Sequence, residues 1–107
     1  MVELNDKLIL TKYLKEIAIN SQLYAFAAWL RDHERFYEKS GAILEKVGQS
    51  RTPENIVNTY EKLSFIFELL DNYDFLSDHK EKVYFYLKKK FAHLIREETI
   101  NNLLGES

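Results

Sequence analysis

Cysteine is absent from this chain, and with it go disulfide bridges, thiolate metal sites and any cysteine nucleophile. Turn formers are scarce. Three glycines and one proline in 107 residues are too few to punctuate the many short strands of an all-β domain. No charge of one sign prevails: fifteen Lys and Arg against seventeen Asp and Glu leave a formal net charge of −2. That balance lacks the strongly basic footprint of a dedicated nucleic-acid binder. No apolar run approaches the roughly 20 residues that a membrane span needs. The opening Met1-Val2-Glu3-Leu4-Asn5-Asp6 has no basic region followed by an apolar run, so no signal peptide is expected. Together these absences imply a soluble, cytoplasmic protein that makes no use of a membrane.

Signatures of catalysis are missing as well. His33, His79 and His93 form no H-E-x-x-H, and none follows a Glu at the spacing of di-iron bundles. His33 stands between Asp32 and Glu34, but neighbours on a helix point about 100° apart and do not converge on one ion. His93 and Glu97 share a face at helical spacing, which leaves a tetrahedral site incomplete. There is no G-x-S-x-G and no glycine-rich phosphate loop, and Ser21, Ser40, Ser64 and Ser77 read as cap, linker or helix residues. Glu61 with Glu68, or Glu97 with Glu98, have nothing in the sequence to place them in a pocket. No metal, no cofactor and no catalytic residue is expected, and the chain reads as a non-enzyme.

Aromatic side chains are abundant: one Trp, seven Tyr and seven Phe. A single domain of this length cannot bury them all, and a cluster of exposed ones would mark a protein-binding face. Apolar spacing predicts helices almost throughout. The first runs from a cap at Asn5 or Asp6 to about Ile19, with Leu10, Tyr13, Leu14, Ile17 and Ala18 on one stripe. Asn20-Ser21-Gln22 breaks the chain, and Ser21 is the expected cap of a second helix whose face is Leu23, Phe26, Ala27, Leu30, His33 and Tyr37. Lys39 and Gly41 end it. Residues 42–47 suit a short helix, and Gly48-Gln49-Ser50-Arg51 a loop.

Thr52 as cap, Pro53 at the first helical position and Glu54 in the first turn start a further helix. Ile56, Tyr60, Leu63, Phe67 and Leu70 then form one regular seam, widened by Val57, Ile66 and Leu69, as far as Asn72-Tyr73-Asp74. Ser77 or Asp78 starts the last helix, with Val83, Leu87, Phe91, Leu94 and Ile95 inward. Residues 96–99 either continue it or pass into a short separate turn. The expected fold is all-α, a single domain built as a four-helix bundle or two packed antiparallel helical hairpins. The hairpins would span about 5–40 and about 52–98.

The most motif-like stretch is Ala27-Ala28-Trp29-Leu30-Arg31-Asp32: two small residues that admit another helix, then an aromatic, an aliphatic and a charged pair. With Ala18 in the preceding helix and Tyr24 before it, this AAxLRD pattern resembles the UVR motif. That motif is the helical hairpin shared by the excinuclease subunits UvrB and UvrC and by some Clp-associated regulators. The resemblance covers roughly residues 10–39; Leu23 and Ala25 stand where the motif is acidic. It implies an antiparallel hairpin that docks on a second helical hairpin, in a partner or another copy, and no catalysis.

The candidate partner-binding residues are Trp29, Arg31, Asp32, His33, Phe36 and Tyr37, since Trp, Tyr and Arg are the usual anchors of interfaces. The expected role is a small adaptor, regulator or inhibitor of immunity type. The partner would be a protein of unspecified identity or a second copy in a homodimer. The alternative is nucleic-acid contact through the last helix, where Lys82, Lys88, Lys89, Lys90 and Arg96 interleave with Tyr84, Phe85 and Tyr86. Against it, Lys88, Lys89 and Lys90 span about 200° of helix, and the aromatics are as readily turned into the core.

Overall fold

Most of the apolar spacing described above falls on helix faces. The computed structural model describes residues 2–42, 53–74 and 79–96, and among these the regular structure is helical without a strand. The helices are α1 (Leu4–Asn20), α2 (Tyr24–Lys39), α3 (Pro53–Ile56), α4 (Tyr60–Asn72) and α5 (His79–Lys90). A turn at Phe91 separates α5 from further helical residues, 92–96. The fold is all-α, as the periodicity predicts.

α1 packs against α2, α4 and α3. Leu8, Ile9, Leu10, Thr11, Tyr13, Leu14 and Ala18 are all buried, so its apolar surface is wider than the single predicted stripe. Its start lies earlier than predicted. Glu3 precedes the first turn, accepting from the Lys7 N–H at 2.9 Å through its carbonyl, with no side-chain cap. Asn5 and Asp6 are therefore inside the helix, where Asp6 complements the positive end of the dipole.

The α1–α2 turn also departs from the prediction. Gln22 adopts φ +63°, and Leu23 N–H donates to Ala18 C=O at 2.8 Å, five residues back. This is the left-handed closure of a helix C-terminus. Ser21 thus belongs to the end of α1 and does not cap α2, which follows Leu23 without a side-chain cap. The other end of α2 stops as expected. Gly41 takes φ +109°, Ala42 N–H reaches Tyr37 C=O at 3.0 Å, and Ala42 packs with Tyr37 and Leu8. The predicted short helix over 42–47, the loop to Arg51 and the caps at Thr52, Ser77 and Asp78 fall outside the described residues, apart from Ala42.

The single helix predicted from Pro53 to Asn72 is two. α3 ends at Ile56, and Thr59 caps α4 with its hydroxyl, which accepts from Lys62 N–H at 3.3 Å. Val57-Asn58-Thr59 combines two β-branched residues with an Asn, all weak helix formers and two of them good caps. Val57 remains buried, but the register changes: Leu63, Ile66, Leu69 and Leu70 form the inner face, while Tyr60 is exposed. α5 keeps the expected inner face of Val83 and Leu87 but ends at Lys90 where the expected helix runs on through Ile95; beyond the turn Phe91 and Leu94 are buried and Ile95 is half-buried.

Side-chain contacts fix the helix directions. Asp6 Oδ2 lies 3.7 Å from Lys62 Nζ at one end, and Tyr73 meets Phe26 and Trp29 towards the other. α4 therefore runs alongside α1 and against α2. Tyr84 stacks on Phe67, and Lys80 approaches Asp71 at 3.7 Å, so α5 returns antiparallel to α4. The four longer helices alternate up and down. α1 packs most extensively against α2, then against α4 and α3.

Candidate functional site

At 100° per residue, the buried arc of α2 is Phe26, Ala27, Leu30, Glu34 and Tyr37. Along one edge of that arc run Trp29, His33 and Phe36, with Asp32 beside them. Trp29 is half-buried and held from behind: its ring lies 5.9 Å from Phe26 and 5.3 Å from Tyr73. His33 covers it at 4.1 Å. The His33 Nδ1 is 2.9 Å from the Trp29 carbonyl, which can only accept, so the ring carries a proton there. Phe36, 63% exposed, extends the strip into solvent. The strip thus brings four of the six predicted residues together.

The other two lie elsewhere. Tyr37 is in the core, 9% exposed, its ring 6.5 Å from Phe65. Burial pushes its phenol pKa up, and the Thr11 hydroxyl opposes that shift. Arg31 is exposed but sits two residues from Trp29, about 200° round the helix, on the flank it shares with Arg35. The predicted face is therefore narrower and more apolar than the sequence suggests. Of the Ala pair, Ala27 is buried and Ala28 is exposed, so only one of them serves packing within the chain.

In α5 the aromatics divide. Tyr84 turns inward, stacked 5.0 Å from Phe67; its hydroxyl donates to Asp71, with the Phe67 carbonyl 3.2 Å away. Desolvation, and then the neighbouring Asp71 carboxylate, hold the Tyr84 phenol well above its ordinary pKa. Phe85 and Tyr86 instead point outward, 71% and 47% exposed. Lys82, Lys88 and Lys89 are exposed, Lys90 is half-buried, and Arg96 is exposed beyond the turn. Lys88 Nζ lies 5.0 Å from the Tyr84 ring centre and Lys90 Nζ 5.9 Å from that of Tyr86. The three consecutive lysines diverge, as their spacing requires.

A cleft of about 480 Å³ opens between the α1–α2 turn and the start of α5, lined by Ile17, Leu23, Val83 and Tyr86 with Ser21, His79 and Lys82 among its polar groups. Sequence reasoning did not find this cleft, because it is assembled from segments some sixty positions apart. It also missed the Lys15–Glu34 pair at 2.7 Å, in which the Glu34 side chain is only 7% exposed. Among the described residues, no three His, Asp or Glu are grouped to hold a metal ion, and no helix is long and apolar enough to cross a membrane. No protein-family model, curated protein or solved structure matches the chain.

Proposed function

We propose that this chain is a small non-catalytic protein-binding module, an adaptor, regulator or inhibitor, which presents the Trp29–Asp32–His33–Phe36 strip of α2 to a partner. The observation that carries the reading is Phe36. A phenylalanine 63% exposed, two helical turns along the same strip from a tryptophan held by three other rings, offers apolar area to a partner. Covering such a side chain completely is worth about 2 kcal/mol in the transfer of its surface from water. The exposed Ala28, one turn before Asp32, leaves room for a helix to approach. Kinship with the UVR hairpins, which dock on another helical hairpin, belongs to the same reading.

Affinity capture from the host's lysate, with wild type, Phe36→Asp and Arg31→Glu compared, tests it. A partner retained by wild type and Arg31→Glu but lost by Phe36→Asp is the expected result. Molar mass in solution, measured on the same variants, distinguishes a second copy from a different protein. Equal capture by wild type and Phe36→Asp would remove the strip from consideration.

A further inference from the structure

The cleft between the α1–α2 turn and the start of α5 is built from three separate parts of the chain. Val83, 3% exposed, forms its floor with the half-buried Ile17 of α1 and Leu23 of the turn. From α5, His79, Lys82, Val83 and Tyr86 face it at i, i+3, i+4 and i+7, within an arc of about 100°. The opposite wall is the end of α1, where the carbonyls of Ile17, Ala18 and Ile19 already accept from the N–H groups of Ser21, Leu23 and Gln22. The negative end of that helix is thereby largely satisfied, and Ser21 stands at the mouth.

Charge selects the occupant. Lys15, Lys62 and Lys80 each lie near a carboxylate, but no ion pair among the described residues engages Lys82. Among the described residues that line the cleft there is no Asp or Glu, although the chain has seventeen. An apolar floor with one uncompensated ammonium at its rim complements an apolar body that ends in one negative group. A nucleic-acid strand would meet the ammonium but leave the floor without a partner. The volume, about 480 Å³, is that of a small-molecule site.

We propose that this cleft binds a small carboxylic acid with an apolar body. The carboxylate lies at Lys82, and the body covers Ile17, Leu23 and Val83 beside the Tyr86 ring. The site is separate from the α2 strip and does not rest on the protein-binding reading.

Octanoate, octan-1-ol and octylamine share one body and differ in the head group. Titration of the full chain with each, followed by amide NMR shifts, therefore tests the floor and the cation together. Octanoate is expected to move the amides of Ile17–Leu23 and His79–Tyr86 saturably, with a Kd on the order of 1 mM. Octan-1-ol is expected to bind about tenfold more weakly, for want of the charged hydrogen bond, and octylamine not to saturate. Lys82→Glu, at an exposed position, is expected to reverse the order of octanoate and octylamine. Ser21→Trp, also exposed, fills the mouth and is expected to abolish binding of both. The same spectra show that each variant keeps its fold. Phe36→Asp is expected to bind octanoate as wild type does, so failure of the α2 strip and failure of this site give separate results. No saturable shift below about 10 mM, equal affinity for the alcohol, an order unchanged by Lys82→Glu, full binding by Ser21→Trp, or shifts centred on Phe36 or Phe85 instead of the cleft would each overturn the proposal.

Discussion

The two long helix pairs of this molecule solve the same packing problem with different side chains. Between α1 and α2 the shared core holds Leu10, Leu14, Ala18, Ala27 and Leu30, mostly aliphatic or small beside the rings of Tyr13 and Phe26, and the backbones approach closely. Between α4 and α5 the contact is made by rings: Phe67 stacks on Tyr84, whose hydroxyl bonds to Asp71 at the rim. Rings hold helices further apart and bring a polar end that must be satisfied. The first pair also buries an ion pair, Lys15 with Glu34, whereas the ion pair of the second, Lys80 with Asp71, lies at its exposed rim. The lesson is that polar groups sit inside the closer pair and outside the looser one. The two regions should therefore respond to opposite perturbations.

The largest effect is expected where a charge is left stranded between α1 and α2. Lys15→Met removes the ammonium 2.7 Å from a Glu34 carboxylate that is 7% exposed. Breaking such a pair from one side should cost about 3 kcal/mol, read as a lower denaturant midpoint. Adding Glu34→Leu should restore most of it, because a buried ion pair and an apolar pair of similar volume are often close in stability. If the double variant is no more stable than Lys15→Met alone, the polar interior of this pair does something other than fill space.

A smaller and pH-dependent effect belongs to the ring-mediated pair. Tyr84→Phe keeps the stacking on Phe67 but removes the bond to Asp71, a loss of about 1 kcal/mol at neutral pH. In the folded chain the Tyr84 phenol ionises well above its unfolded value near 10. The neutral form is thus favoured by folding. Its contribution is complete below about pH 10 and is lost as pH rises beyond that. Tyr37 shifts in the same direction. Wild-type stability should therefore fall in alkali, and Tyr84→Phe should flatten part of that fall without abolishing it. A fall identical in both proteins would assign the alkaline loss to Tyr37 or to general repulsion.

Much of this architecture was legible in the sequence because it rests on period and punctuation. The apolar spacing of α1, α2 and α5 and the stop at Gly41 are local signals, and the structure realises them. What was not legible depends on distance or on close energetic balances. The break at Val57-Asn58-Thr59 pits weak helix formers against a continuous apolar seam, and burial of Val57 in a new register decides it. The Lys15–Glu34 pair and the terminal cleft join residues that no spacing rule connects. The candidate face was half legible: four of its residues fall on one strip, while helical rotation separates Arg31 and burial removes Tyr37. In α5 the interleaving of lysines with Tyr84, Phe85 and Tyr86 was visible, but which rings turn inward was not: Tyr84 packs on Phe67 and leaves Phe85 and Tyr86 to solvent.

The smallest effect contrasts the two ends of α2 instead of the two pairs. Both turns use a left-handed residue to close a helix, at Gln22 with φ +63° and at Gly41 with φ +109°. Only glycine holds that conformation without a steric cost, which for other residues is roughly 1 kcal/mol. Gly41→Ala should therefore destabilise, although a methyl group there would meet no neighbouring atom within 4 Å. Strain alone would be responsible. Gln22→Gly should stabilise by somewhat less than the strain it relieves, because glycine also loses more freedom on folding. Thermal midpoints of the two variants should move in opposite directions. Gln22 is exposed and lines the cleft beside His79, so a neutral or destabilising Gln22→Gly would mean that its side chain contributes there what its backbone gives up.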